Sequence, residues 1–172
     1  MGESAERGPQ PLAEGHDLAA FDSGVPELDR WLKVRAHANE ASGASRTFVL
    51  AKETRVVGYY SLTVGGVTHQ VAPGRGRRTM PDPVPVAILA RLAVDREWQG
   101  RRLGGYLLQD AVLRTIAAGA NLGIRGMLIH AIADEARNFY QHYGFMPSPI
   151  EPFTLIANMV DLLKKIFPGR SA

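Results

Sequence analysis

The stretch RLAVDREWQGRRLGGYLL (residues 91–108) decides how the rest of the sequence is interpreted. It begins as an apolar strand, passes through a short polar turn, and becomes rich in glycine and arginine where a helix starts. A basic, glycine-containing turn that opens a helix is a shape that binds phosphate, because the first N–H groups of the helix point outward and its dipole favours negative charge. Five residues carry this pattern: Gly100, Gly104, Gly105, Arg101 and Arg102.

The spacing of these glycines leaves two interpretations open. The stretch is not a Walker A loop, because no Gly-Lys-Ser/Thr follows, and it is not the Gly-x-Gly-x-x-Gly fingerprint of dinucleotide-binding folds. A plain strand–turn–helix unit, with glycines for tight packing, explains the spacing as well as a diphosphate site does. The residue types alone therefore predict an anion site without deciding for it.

Length and composition indicate one globular domain. The chain has 172 residues, of which 45% are hydrophobic and 22% charged, with a formal net charge of +3 and no cysteine. The lack of cysteine removes disulfides, thiolate nucleophiles and zinc–thiolate sites, and it suits the cytoplasm. The sequence contains no run of about 18 apolar residues, so we predict no membrane-spanning helix. We expect residues 1–10 to be a disordered leader and residues 11–172 to form a single domain.

The order of apolar patterns predicts a mixed α/β sheet. A helix with Asp22 or Ser23 as its cap, Pro26 in its first turn and Gly43 after its end comes first, and a hairpin of two strands follows. A buried strand then leads through the glycine-rich turn into a helix. Another strand, a short helix capped by Asp134, a last strand and a terminal helix complete the chain.

Two segments of the sequence resemble the GNAT N-acetyltransferase superfamily. QGRRLG is similar to its acetyl-CoA loop, Gln/Arg-x-x-Gly-x-Gly/Ala, with Gln99 in the first position and Gly104 in the sixth. Arg102 stands where the superfamily usually has its middle glycine. FYQHYGF resembles the Phe-Tyr-x-x-x-Gly-Phe segment after the last GNAT helix. The resemblance implies a GNAT fold, a central mixed twisted sheet flanked by helices, and acetyl-CoA as the acetyl donor.

Four pieces in order resemble one branch, the GNAT toxins of bacterial toxin–antitoxin modules: FDSGVPELDRWL, ASGASRTFV, MPDPVPVAILARLAVD and FYQHYGFMPSP. This resemblance implies a toxin that acetylates the amino group of the amino acid on charged tRNA and so blocks translation. It also implies a ribbon–helix–helix antitoxin as partner and a homodimer. Two alternatives stay open: the same enzyme acting on a small amine or a protein N-terminus, and a non-catalytic module that binds CoA or an antitoxin.

By resemblance, Tyr140 is the general acid that protonates the departing CoA thiolate, and Tyr143 is the second candidate for this role. A packing role in an aromatic cluster is the alternative for both side chains. We expect His130 to be a core or supporting histidine rather than a base, and Asp95 and Glu97 to be solvated or to cap a turn. A base is dispensable if the acceptor amine is already neutral, since a free α-amine has a pKa of about 8.

The resemblance also implies which residues bind acetyl-CoA. The strand residues would offer main-chain groups to the pantetheine arm and to the acetyl carbonyl, and Asn138 would hydrogen-bond the cofactor. The predicted cofactor-binding residues are Leu92, Ala93, Val94, Gln99, Gly100, Arg101, Arg102, Leu103, Gly104, Gly105 and Asn138.

Basic side chains in two parts of the sequence predict contacts with the phosphates of tRNA, because such binding rests largely on the backbone charge of the nucleic acid. A solvated surface is the ordinary alternative for such residues. The predicted tRNA-binding residues are Arg30, Lys33, Arg46, Arg75, Arg77 and Arg78.

Overall fold

The computed structural model describes residues 8–68, 70–71 and 82–166. Within these residues seven strands form one mixed sheet in the order β1-β2-β3-β4-β5-β7-β6. The strands are β1 (Gln10–Pro11), β2 (Arg46–Lys52), β3 (Arg55–Val67), β4 (Val84–Val94), β5 (Gly126–His130), β6 (Met146–Pro147) and β7 (Thr154–Asn158). The helices are α1 (Pro26–Val34), α2 (Ala36–Ser42), α3 (Leu103–Leu122), α4 (Asp134–His142) and α5 (Met159–Ile166). The α/β mixed-sheet class predicted from the sequence is confirmed.

Strand pairing follows from the connections between the strands. β2 and β3 form the predicted antiparallel hairpin, and Glu53 turns it with a φ of 57°. β4 and β5 pair in parallel from Val86 to Leu89, as a crossover through a helix such as α3 requires. β7 pairs antiparallel with both β5 and β6. None of the helices in the described ranges is long and apolar enough to cross a bilayer.

Backbone proximity divides the chain into two compact units, and the first contains Met1–Thr63 and Ala90–Ala111. Its described core is built around Tyr59, whose ring stacks on Trp31 at 6.0 Å between centroids. The Tyr59 hydroxyl donates to the Leu28 carbonyl at 2.7 Å. Leu28, Trp31 and Leu32 lie on one face of α1, as the helical spacing predicts.

The second unit contains Val64–Leu89 and Val112–Ala172. Its described core includes Val86, Leu128 and Ile156, one from each of β4, β5 and β7. Gly126 is required where β5 meets β7, because a Cβ there would lie 2.6 Å from the Ala157 carbonyl oxygen. The short β5 strand is therefore held close against its antiparallel neighbour.

The predicted leader is wrong at its C-terminal end. Residues 1–7 lie outside the described residues, but Pro9 is buried and Gln10 pairs with Val49 in β2. Leu12, 6% exposed, joins the core of the first unit and so holds this segment against the edge of the sheet. The last residues of the predicted leader are therefore ordered, because apolar residues beside them are buried against the sheet.

The first helix also differs from its prediction, since it breaks at Arg35 into α1 and α2. Neither Asp22 nor Ser23 caps α1; its N-cap is Val25, without a side-chain hydrogen bond. Pro26 at the helix start has no N–H, so the first turn has one donor fewer to satisfy. Likewise the N-cap of α4 is Ala133 and not the predicted Asp134.

Candidate active site

The segment from Gln99 to Gly105 connects the 3₁₀ turn Arg96–Trp98 to the start of α3. Its backbone enters the left-handed region twice, at Gly100 with a φ of 81° and at Arg102 with a φ of 62°. Residues that alternate between right- and left-handed conformations turn successive N–H groups toward a common point and make anion-binding concavities. Arg102 stands where the superfamily usually has glycine, and its positive φ is one that glycine adopts most easily.

The start of α3 is open to a ligand. The first N–H groups of a helix have no acceptor within the helix, and they carry the positive end of its dipole. Gly104 and Gly105 occupy the first turn and have no side chain to block approach. Apart from Gly100 and its chain neighbours, none of the described residues has an atom within 4 Å of the place where a Cβ of Gly100 would stand. Donors, dipole and open space fit a diphosphate group.

The two arginines of the segment have different surroundings. Arg101 donates to the Glu97 carbonyl at 3.3 Å, and its guanidinium carbon lies 4.4 Å from the ring centroid of Trp98. Arg102 is exposed, and its guanidinium makes no hydrogen bond or ion pair with the described residues. Of the two guanidinium groups, that of Arg102 is available to a ligand without loss of an existing contact.

A buried carboxylate holds the turn that precedes this segment. Asp95, 1% exposed, accepts from the N–H groups of Asp22 and Glu97, each at 3.0 Å, and Arg55 lies 3.6 Å away. The predicted capping role of Asp95 is confirmed by its bond to the Glu97 N–H. A buried carboxylate bonded to N–H groups and a guanidinium is costly to remove, so this turn is fixed in place.

The side chain of Gln99 is also part of this fixed turn. Its Nε2 donates to the carbonyls of Ser23 and Val94, each at 2.9 Å. Gln99 thereby joins the end of β4 to the segment before α1. The Nε2 group is thus occupied within the protein, and the Gln99 N–H donates to the Arg96 carbonyl at 3.4 Å.

The last residues of β4 extend past its ladder with β5. That parallel pairing ends at Leu89, and the predicted pantetheine-contacting residues Leu92, Ala93 and Val94 come after it. Ala93 is buried, and its two neighbours are half-buried. The Val94 carbonyl accepts from Gln99, so this one main-chain acceptor is used internally.

Tyr140 lies on α4 in an aromatic cluster. Its side chain is 7% exposed, and its ring packs edge-on against Phe139 at 5.1 Å and Phe145 at 6.0 Å. None of the described residues hydrogen-bonds its hydroxyl. Burial raises the pKa of Tyr140 above its ordinary value. The hydroxyl therefore stays protonated at neutral pH, which is the state of a proton donor.

The neighbours of Tyr140 differ from it in burial. Tyr143 is half-buried at the end of α4, where its ring packs on Phe139 at 5.1 Å. Asn138 is exposed on α4, as a cofactor-contacting side chain requires. His130, expected to be a core or supporting histidine, is exposed at the end of β5, so the core alternative is wrong. The apolar residues Leu128 and Ile129 suggested that the buried part of the strand includes His130, but it ends at Ile129.

The predicted tRNA-binding residues divide into three groups. Arg30 and Lys33 are exposed on α1. Arg46 is 3.3 Å from the Glu40 carboxylate, so part of its charge is compensated. Arg75, Arg77 and Arg78 lie outside the described residues.

Sequence and structural comparisons identify the family of the chain. A family model described as the Acetyltransferase (GNAT) domain matches residues 43–147, more than half of the chain. The chain belongs to the GNAT family of acetyltransferases. It is 50% identical, over 89% of its own length and 92% of the relative's, to a tRNA-acetylating toxin of Mycobacterium tuberculosis.

Two solved structures share the fold at 25% sequence identity. AtaT complexed with acetyl-methionyl-tRNAfMet superposes with a TM-score of 0.84 over 90% of this chain and 95% of that one. A mutant AtaT toxin bound to the C-terminus of the antitoxin AtaR gives a TM-score of 0.78 over 90% of this chain and 94% of that one.

Proposed function

We propose that this protein is a toxin that transfers the acetyl group of acetyl-CoA to the amino group of the amino acid on charged tRNA and so blocks translation. The observation that carries the proposal is its 50% identity to a tRNA-acetylating toxin over nearly the full length of both proteins. The likeness to AtaT in complex with acetyl-methionyl-tRNAfMet supports the same acceptor. Charged tRNA is thus the acceptor in this proposal, in place of a small amine or a protein N-terminus.

In this proposal the diphosphate of acetyl-CoA binds where α3 begins. The N–H groups of Leu103, Gly104 and Gly105 donate to it, and the exposed guanidinium of Arg102 adds charge. Arg101 reaches the ligand only by leaving Trp98 or by its backbone. Leu92 and Ala93 offer main-chain groups to the pantetheine arm, and the exposed Asn138 adds a side-chain hydrogen bond.

Tyr140 is the proposed general acid. When bound, acetyl-CoA supplies an activated thioester whose acetyl carbon accepts the attacking amine. Tyr140 donates its hydroxyl proton to the sulfur that departs, and it recovers a proton from water. The buried ring fixes the direction of the hydroxyl, and the raised pKa means that the hydroxyl is protonated at neutral pH.

Charge reversal on α1 tests the tRNA surface. The double change Arg30→Glu with Lys33→Glu should weaken binding of charged tRNA, because two exposed cations become anions. Each lost phosphate contact lowers the slope of log affinity against log salt by about 1. The measurement is the salt dependence of binding. Acetyl-CoA affinity should stay the same.

The matched control is Lys164→Glu with Lys165→Glu on α5, which has the same change of net charge at exposed positions. The control should keep the wild-type slope. Equal slopes for the wild type and both double variants would mean that Arg30 and Lys33 are solvated surface residues that do not contact tRNA.

The backbone at Arg102 gives a second test. Arg102→Gly and Arg102→Ala both remove the guanidinium, but only glycine adopts a φ near 62° at no steric cost. A left-handed conformation costs other residues roughly 1–2 kcal/mol. Titration by calorimetry should therefore show tighter acetyl-CoA binding for the glycine variant than for the alanine variant. The reverse order would mean that the backbone of this loop does not hold the diphosphate.

We also propose a ribbon–helix–helix antitoxin and a homodimer, which the resemblance to toxin–antitoxin modules implies. The mutant AtaT toxin bound to the C-terminus of AtaR supports an antitoxin partner of some type. Light scattering of the purified chain, with and without the product of a neighbouring small reading frame, tests both expectations.

Cell-free translation tests the proposed function. The protein should stop synthesis only when acetyl-CoA is present, and acetyl-CoA should be consumed. A regulatory module without activity would release no CoA under any condition. An acetyltransferase for small amines would release CoA with those amines and leave translation running, which would contradict the proposal.

A further inference from the structure

A chain of three polar side chains joins the ends of β5 and β7. The Nδ1 of His130 lies 3.0 Å from the Oγ1 of Thr154, which lies 2.9 Å from the Oε2 of Glu151. His130 and Thr154 are direct partners in the antiparallel register. Thr154 is 4% exposed, whereas His130 is exposed. The chain therefore has a buried centre and an imidazole at its open end.

The direction of these hydrogen bonds fixes the imidazole tautomer. A carboxylate only accepts, so the single hydroxyl proton of Thr154 is donated to Glu151. The same oxygen must then accept from His130, which requires the proton of the neutral ring to be on Nδ1. The Nε2 atom of His130 is left with a lone pair, and none of the described residues donates to it.

The surroundings of His130 suit a group that takes up a proton. It ends β5, which pairs in parallel with β4, and ligands of sheets with parallel strands bind beyond the carboxyl ends of such strands. The chain ends at the Glu151 carboxylate, which accepts from the Thr154 hydroxyl. On α4, Arg137 has its guanidinium carbon 5.6 Å from the ring centroid of Phe153.

We infer that His130 is the general base of the acetyl transfer, with Thr154 and Glu151 as its positioning residues. The inference rests on the proposed function, since it requires an amine acceptor. Nε2 removes one proton from the ammonium group of the acceptor. The neutral nitrogen then bonds to the acetyl carbon, the carbon–sulfur bond breaks, and the sulfur receives the proton of Tyr140.

The remaining protons balance through water. The acetylated nitrogen loses its second surplus proton to water, the imidazolium releases its proton at the exposed ring edge, and Tyr140 is reprotonated. The sum is one ammonium group and acetyl-CoA converted to an amide, free CoA and one proton.

Rates of acetyl transfer to charged tRNA between pH 6 and pH 9 test the base. His130→Gln keeps an amide that can donate to Thr154 but has no proton acceptor of suitable basicity. It should be slower than wild type by about 10²-fold at pH 6, the lower end of general-base effects. The difference should disappear near pH 9, where the acceptor amine is neutral without help. Added imidazole should restore His130→Ala, and His37→Ala on α2 should match wild type.

Nitrogen NMR of the enzyme without ligands gives an independent readout. The His130 ring should show a protonated Nδ1 and an unprotonated Nε2, and Thr154→Val should abolish that preference. A protonated Nε2 in the neutral ring, or an equal rate loss of His130→Gln at pH 6 and pH 9, would overturn the inference. Failure of the wild type itself to acetylate charged tRNA would instead refute the proposed function, and the base role with it.

Discussion

Replacing Tyr140 with phenylalanine is expected to slow acetyl transfer by about 10²–10⁴-fold, the usual contribution of general acid catalysis. The change removes only the hydroxyl and keeps the ring between Phe139 and Phe145. Because no described residue hydrogen-bonds that hydroxyl, its loss leaves no partner unsatisfied. Single-turnover rates at saturating acetyl-CoA measure the effect, and melting temperatures check that the fold is unchanged.

Tyr143→Phe is the matched control, since it removes the same group from the C-cap of the helix that carries Tyr140. We expect this variant to keep most of its activity and to arrest growth when expressed, whereas the Tyr140 variant should not. A fast Tyr140→Phe enzyme would refute the general-acid role. If Tyr143→Phe were the slow variant, the acid would lie one turn further along the chain.

Gly104→Glu is expected to abolish the binding of acetyl-CoA. The substitution places bulk and a negative charge in the first turn of α3, where the proposed diphosphate meets the N–H groups. For the wild type, acetyl-CoA at one hundred times its dissociation constant should stabilise the fold by about 2.7 kcal/mol. The variant should lose this stabilisation, which thermal melting with and without acetyl-CoA measures.

Gly15→Glu provides the control, because it is the same substitution at an open site. Apart from the chain neighbours of Gly15, none of the described residues has an atom within 4 Å of an added Cβ there. Its melting temperature should rise with acetyl-CoA as in the wild type. An equal rise in Gly104→Glu would show that the cofactor loop has been placed wrongly.

The spacing of apolar residues and the positions of turn residues were enough to predict several helices and strands. The α3 start at Leu103, the β2–β3 hairpin and the strand that runs into α5 follow from spacing of apolar residues and from turn residues. Arg102 is instructive, because its departure from the GNAT pattern is visible in the sequence. The structure adds that its backbone still adopts the left-handed conformation that glycine favours.

Contacts between distant residues could not be predicted in this way. Asp95 accepts from the Asp22 N–H, 73 residues earlier, and His130 meets Thr154 only through the β5–β7 register. The break of the first helix at Arg35 was not predicted for another reason: no glycine or proline marks it in the sequence. Helix propensity alone is a weak guide where packing decides.

Identification of the acetylated atom tests the central claim most directly. Charged tRNA would be incubated with the protein and labelled acetyl-CoA, and the amino acid then released by mild base and identified. The account predicts labelled N-acetyl amino acid, none from uncharged tRNA, and far less from the Tyr140→Phe enzyme. Label on the RNA itself, or equal labelling of charged and uncharged tRNA, would contradict it.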